Sequence, residues 1–219
     1  MDDPPIRALL VCGHPVIGGV VRLACDATGA IDVVGEVGSA ASTSGAIDAL
    51  APGAVVIDLE LPDADGLGIV AEACSGGRAV VVVSERADGP TVLGALRAGA
   101  GGYLVKPDGL REAGRVLVRV AGGERVLDPR LGEELVREVG RVARQAREGA
   151  RLAGEVTPRE REILALLADG FTMRQVGRRL GISARTVESH VLSLYKKLGV
   201  HSRVQAVAKG AALGLIDLG

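Results

Sequence analysis

Residues 157–204 read TPREREILALLADGFTMRQVGRRLGISARTVESHVLSLYKKLGVHSRV. Two short helical patterns meet at Leu180-Gly181-Ile182. Met173, Val176 and Leu180 recur at i, i+3 and i+7, an apolar helical stripe. Gly181 is placed to end that helix, since a tight turn there needs a residue that tolerates positive φ. Ser183 comes next as the N-cap of a second helix. In that helix Val187, Val191, Leu194 and Leu198 share one face, and Arg185, Glu188, Ser189, Leu192 and Lys196 share the other. A helix–glycine turn–helix unit with an apolar inner and a polar outer second helix is the layout of a major-groove reader.

The flanks extend this into a four-helix domain. Thr157-Pro158-Arg159-Glu160 reads as a capping box with Pro at the first helical position. Ile163, Leu164 and Leu167 supply that helix's apolar face, and Gly170 ends it. Ser202 starts a last helix bearing Val204, Val207, Ala208 and Ala211.

The pattern closely resembles the LuxR-type DNA-binding domain at the C-terminus of NarL/FixJ-class response regulators. The residues that carry it are Thr157-Pro-Arg-Glu-Arg-Glu162, Leu180-Gly-Ile-Ser183, Thr186-Val187, His190-Val191, Lys197-Leu-Gly-Val200 and Ser202-Arg203. The resemblance implies that residues 184–198 enter the major groove, with Glu188, Ser189 and Leu192 facing base edges. Arg174, Arg185, Thr186, Lys196 and Lys197 are then expected to meet phosphates. Double-stranded promoter DNA is the implied partner. One such domain contacts few bases, so a homodimer is expected; the family points to the last helix as the contact between DNA-binding domains.

Charge is distributed accordingly. The formal net charge is −1, but residues 1–121 hold 9 Lys/Arg against 15 Asp/Glu, while residues 155–219 hold 10 against 6. The basic excess sits with the proposed DNA reader, where phosphate attraction requires it. A hydrophobic content of 47% argues for a folded chain, and only 1% aromatics leaves the core to Val, Leu, Ile and Ala. Cys12, Cys25 and Cys74 have no metal-ligand spacing, and a reducing cytoplasm is the simple expectation. The acidic start, Met1-Asp2-Asp3, lacks a signal pattern, and no apolar run reaches the roughly 20 residues that span a bilayer. No membrane partner is therefore expected.

The first half alternates strand and helix. Strands are expected at 6–11, 32–37, 54–57, 79–83 and 102–105. Helices are expected at 16–27, 42–50, 66–73, 90–98 and 110–120. Five strands alternating with five helices predict an open parallel sheet covered on both faces, an α/β fold with its chemistry beyond the strands' carboxyl ends. Those ends carry Cys12-Gly13, Asp58, Ser84 and Lys106.

Residues 5–121 resemble a response-regulator receiver of flavodoxin-like (βα)5 type. The match is carried by Leu9-Leu-Val11, His14-Pro15, Val55-Val-Ile-Asp-Leu59 with Pro62 and Asp65-Gly66, and Ala95-Leu-Arg-Ala-Gly-Ala100 with Gly102-Tyr-Leu104. It implies Asp58 as phosphoacceptor equivalent, Ser84 as hydroxyl switch, Tyr103 as aromatic switch and Lys106 as phosphate-pairing lysine, and it suggests a cis Lys106-Pro107 bond. One departure matters most. A working receiver presents two adjacent acids after its first strand, which hold Mg²⁺ together with the phosphoacceptor. Here those places are Cys12 and Gly13. Mg²⁺ wants carboxylate oxygens, and about 4 kcal/mol of lost stabilisation slows transfer roughly a thousandfold. The expectation is an atypical receiver, with no Mg²⁺ or other cofactor and no regular phosphorylation of Asp58. Asp58 and Lys106 would remain as an ion pair. Residual phosphorylation by a sensor kinase, or a small ligand in the vacated pocket, stay open as signals.

Residues 122–154 read as a connector, with Asp128-Pro129 opening a helix to about 151. Leu131, Leu135, Val139, Val142, Ala146 and Ala150 form one stripe, fit for intramolecular or dimer packing alike. The domain 155–219 comes after it. A DNA-binding transcription regulator is the reading that absorbs most of these features. A protein-interaction module that never meets DNA is the alternative. No arrangement of residues points to an enzyme.

Overall fold

A computed structural model describes residues 4–217; the Met1-Asp2-Asp3 start and the last two residues of the 155–219 domain lie outside them. The chain forms two compact units, one ending at Val139 and the other beginning at Gly140.

The first unit alternates β1 (Ile6–Val11), α1 (Pro15–Asp26), β2 (Ile31–Val37), α2 (Thr43–Leu50), β3 (Ala54–Asp58), α3 (Leu67–Cys74), β4 (Ala79–Ser84), α4 (Gly89–Arg97), β5 (Gly102–Val105) and α5 (Gly109–Ala121). The strands are parallel in the order β2-β1-β3-β4-β5, with a short sixth strand, β6 (Val126–Leu127), beside β5. The two-residue period of a strand sends alternate side chains to opposite faces. Ala8, Leu10, Val56, Val81 and Val83 thus pack with α1 and α5 on one side. Leu9, Val11, Val55, Ile57, Val80 and Val82 pack with α2, α3 and α4 on the other. Both faces are covered, which is why these strands read as continuous apolar runs. Gly114 sets how close α5 lies to α1, since a Cβ there would stand 2.1 Å from the Ala24 carbonyl oxygen.

The expected five strands are therefore six, and the extra one falls inside the expected connector. Two residues have no periodicity to read. Asp128 does cap the helical segment after it, but the first turn, Pro129–Leu131, is a 3-10 turn. The long helix α6 then runs Gly132–Glu155, past the expected end near 151. Of its expected stripe, Leu131 is buried against the sheet unit and Leu135 packs beside it, while Val139 is 49% exposed. The second unit holds the remainder of α6 with α7 (Pro158–Ala168), α8 (Met173–Leu180), α9 (Ala184–Leu198) and α10 (Arg203–Ala212). No helix among the described residues is long and apolar enough to cross a membrane.

Asp128 fastens β6 and the 3-10 turn to β5. Its carboxylate accepts from the Val105 N–H at 3.2 Å, the Arg130 N–H at 3.0 Å and the Arg130 guanidinium at 2.7 Å. The Arg130 bond chiefly holds its pKa down at about 2. Asp128→Ala would leave the buried Val105 N–H without an acceptor. It is expected to lower unfolding free energy by about 2 kcal/mol in a urea titration monitored by circular dichroism.

Candidate functional site

The turn between α8 and α9 is set by three local devices. Thr172 and Gln175 form a reciprocal capping box that starts α8. Gly181 ends it at φ +66°. Gly177 lets the chain fold back, because its carbonyl accepts from the Ile182 N–H at 2.9 Å and a Cβ there would stand 2.7 Å from the Ile182 oxygen. Ser183 then caps α9 by accepting from the Thr186 N–H at 3.1 Å. Val187 and Val191 bury against Ile163, Leu167 and Val176, and Leu194 and Leu198 against Leu164 and Ala206. The apolar side predicted for α9 is thus its buried side.

The opposite side is open. Arg185, Thr186, Glu188, Ser189, Leu192 and Lys196 are all solvent-facing, Leu192 at 63% exposure. Two hydroxyls are partly engaged at home: Thr186 Oγ1 shares a 2.7 Å bond with Ser183 Oγ, and Ser189 Oγ donates to the Arg185 carbonyl at 3.2 Å. Arg174 lines a groove with Arg178, Gly177, Gly181, Ile182 and Ala184. Arg178 was not singled out by sequence reasoning. Its place in the last turn of α8, beside Arg179, was the available signal. Arg179 itself lies over the Phe171 ring at 4.9 Å.

Lys197 departs from expectation. Its amine donates to both Glu160 oxygens, at 2.9 and 2.6 Å, rather than reaching outward. Glu160 is 2% exposed and also accepts from Ser193 Oγ at 2.7 Å and the Thr157 N–H at 2.8 Å. The capping box is thus also the joint between α7 and α9. Burial pushes the Glu160 carboxyl up, but the bonds from Lys197, Thr157 and Ser193 outweigh it and hold the pKa at about 2.

In the first unit the carboxyl ends of β1, β3, β4 and β5 bring the other predicted residues together. Cys12 is buried, and its thiol is pushed up to about 12, first by burial and then by Asp58 and Glu36. Gly13 sits under the loop after β3, where an added Cβ would stand 2.7 Å from Pro62 Cδ. Asp58 is 1% exposed. It accepts from Lys106 Nζ at 2.6 Å and from the Glu60 N–H at 3.0 Å. Burial raises the Asp58 pKa, and the same two bonds oppose that rise. Lys106-Pro107 is cis.

Sequence reasoning missed Glu60. Its carboxylate lies 2.9 Å from Lys106 Nζ and accepts from Ser84 Oγ at 2.6 Å and the Glu85 N–H at 3.2 Å. Burial opposes its ionisation, yet the Ser84 and Lys106 bonds hold its pKa below the ordinary range. Tyr103 is fully buried and donates to the Arg86 carbonyl at 2.7 Å.

Two family models match the chain: response regulator receiver domain over residues 8–114, and bacterial regulatory proteins, luxR family, over residues 155–209. The DNA-binding transcriptional activator DevR/DosR of Mycobacterium tuberculosis is 33% identical over 205 residues, 92% of either chain. The nitrate/nitrite response regulator protein NarL of Escherichia coli is 34% identical over 208 residues, 94% of either chain. Among solved structures, response regulator ChrA of a heme-sensing two-component system superposes with a TM-score of 0.51 at 28% identity, covering 98% of this chain and 100% of its own. A structure of RcsB with DNA shares the fold at a TM-score of 0.55 and 18% identity, covering 95% of this chain and 98% of that one.

The depressed Glu160 pKa fixes the sign of a pH effect. Its contribution is complete above the ordinary carboxyl value of 4.5 and is lost as pH falls toward about 2. Glu160→Ala is expected to lower stability by about 3 kcal/mol at pH 7. In urea titrations of the full chain that difference should shrink steadily between pH 5 and pH 2.

Proposed function

Because the chain belongs to the NarL/FixJ class of response regulators, a receiver followed by a LuxR-type DNA-binding domain, we propose that it regulates transcription from the cytoplasm without phosphorylation of Asp58. One observation carries this reading. Lys106 bonds both Asp58 and Glu60, while the two positions expected to hold Mg²⁺ are a buried thiol and a glycine. Mg²⁺ requires hard oxygen ligands in near-octahedral array. A Cys12 held protonated by burial offers none, and Pro62 crowds the place where a side chain at Gly13 would begin. The residues present do not fit the cation. Without it, the ammonium at the pocket, Lys106, is already shared between Asp58 and Glu60, and charge developing on a transferred phosphoryl group lacks the metal that would neutralise it.

DNA recognition rests on the open side of α9. Arg185 and Lys196, with Arg174 and Arg178 from α8, meet phosphates and fix the register. Thr186, whose hydroxyl shares the Ser183 cap, supports that docking through the start of the helix. Glu188 can accept from cytosine N4, Ser189 can bond either kind of base edge, and Leu192 can meet a thymine methyl. Two copies on one promoter site supply the length of sequence that one helix cannot read. The cations beside the open side of α9 favour a DNA reader over a module that binds only protein.

Three measurements test this. Incubated with acetyl phosphate and Mg²⁺, the full chain is expected to show no retarded band on a Phos-tag gel; a stoichiometric one would end the phosphorylation-independent reading. In gel shifts at two salt concentrations, affinity should fall with a log–log slope of about −0.9 per phosphate neutralised. Lys196→Ala should weaken binding to all sequences alike, whereas Leu192→Ala should cost about 1–3 kcal/mol of discrimination at a single base position.

A further inference from the structure

We infer that Glu60 is the resident anion of the receiver pocket: Ser84 Oγ, the Glu85 N–H and Lys106 Nζ form an oxyanion cradle that the chain fills with its own carboxylate. The three donors come from two strand ends and one loop, and they converge on a single side chain. Oε1 accepts from Ser84 Oγ at 2.6 Å. Oε2 accepts from the Glu85 N–H at 3.2 Å and lies 2.9 Å from Lys106 Nζ. Backbone N–H, hydroxyl and ammonium aimed at one point are an anion site by construction. The ligand class is a planar carboxylate or a similar small oxyanion, and here it is tethered.

The tethered carboxylate governs the loop between β4 and α4. Ser84 Oγ, while donating to Glu60, accepts from the Arg86 N–H at 3.0 Å. The Arg86 guanidinium grips Asp65 at 2.7 and 3.0 Å, so the loops after β3 and β4 are joined twice. The Arg86 carbonyl in turn receives the Tyr103 hydroxyl. At the far end of the loop Asp88 caps α4 by accepting from the Thr91 N–H at 3.0 Å. Gly89 there lies under α6, where a Cβ would stand 2.4 Å from Glu138 Cβ. An arriving group is not needed to close this loop or to seat α6 on α4, because Glu60 already does the closing.

This names the regulation of the pocket under the phosphorylation-independent reading and rests on it. The test is amide hydrogen exchange by mass spectrometry on the full chain, in the segments 84–89 and 132–139. Glu60→Ala is expected to speed exchange in 84–89 roughly tenfold, with a smaller rise in 132–139. Formate, a free carboxylate of the missing group's size, is expected to slow it again, chloride at equal ionic strength is not, and the wild type should ignore both. Glu60→Gln keeps the shape but removes the charge facing Lys106, and should fall between the wild type and Glu60→Ala. It decides the matter should the alanine variant fail to fold. Wild-type exchange rates in either variant, or formate acting equally on the wild type, would overturn the assignment. A retarded Phos-tag band for the wild type ends the underlying reading instead, so the two failures are distinct.

Discussion

A lysine ammonium with 7% of its side chain exposed has to find negative charge inside the protein. Desolvation of such a group costs several kcal/mol, and only close, well-bonded partners offset it. Lys106 ends up between Asp58 at 2.6 Å and Glu60 at 2.9 Å, and both carboxylates favour its charged form. The carboxyl ends of β3, β4 and β5 meet at that closure. β3 contributes Asp58, the loop after it Glu60, and β5 leads into Lys106; Ser84, at the end of β4, satisfies what Glu60 has left over.

The same chemistry recurs in the second unit. Glu160 is a buried carboxylate that bonds one lysine, one serine hydroxyl and one backbone N–H; Glu60, with 34% of its side chain exposed, meets the same three kinds of donor. In the helical unit the arrangement is plainly a staple: it joins the start of α7 to the last turns of α9 and has no external ligand to await. Its counterpart in the sheet unit stands where resemblance to receivers led us to expect a signal to arrive. A carboxylate that already has its full set of donors has no bond to gain from a newcomer. Displacing it would leave charge uncompensated in a half-buried site.

Legibility in the sequence tracked periodicity and caps. α9 was readable because Ser183 and four apolar residues at 4, 3, 4 spacing each act locally. The sheet was readable because its strands are buried on both faces and so appear as unbroken apolar runs. β6 was not, since two residues show neither pattern; it is held by backbone bonds from the Val126 and Asp128 N–H groups to Gly101 and Tyr103, with the Asp128 carboxylate adding one from the Val105 N–H. Lys197 shows a different limit. Periodicity gives the angle of a residue around a helix but not where a long flexible side chain ends, and one step beyond Lys196 was enough to turn it from solvent to Glu160. Glu60 was invisible for a related reason: it lies two residues after Asp58 in a loop, and its role depends on Ser84 and Lys106, 24 and 46 positions away in the sequence.

Cys12 and Gly13 stand in a different light once Glu60 is placed. Loss of two acids, taken alone, describes a defect, and a defect predicts a pocket left with unsatisfied donors. The geometry is of another kind. Cys12 is buried in the core beneath the sheet's edge, Pro62 lies over Gly13, and no buried side-chain polar atom among the described residues lacks a partner. A pocket that had lost its metal ligands and nothing else would leave Lys106 with Asp58 alone and the Ser84 hydroxyl with no carboxylate to donate to. One in which Glu60 takes up both is internally complete, and a complete pocket positions the β4–α4 loop at all times. On the proposed reading, control of such a chain acts elsewhere than on Asp58: on its amount, or on the surface of α6 that the loop helps to seat.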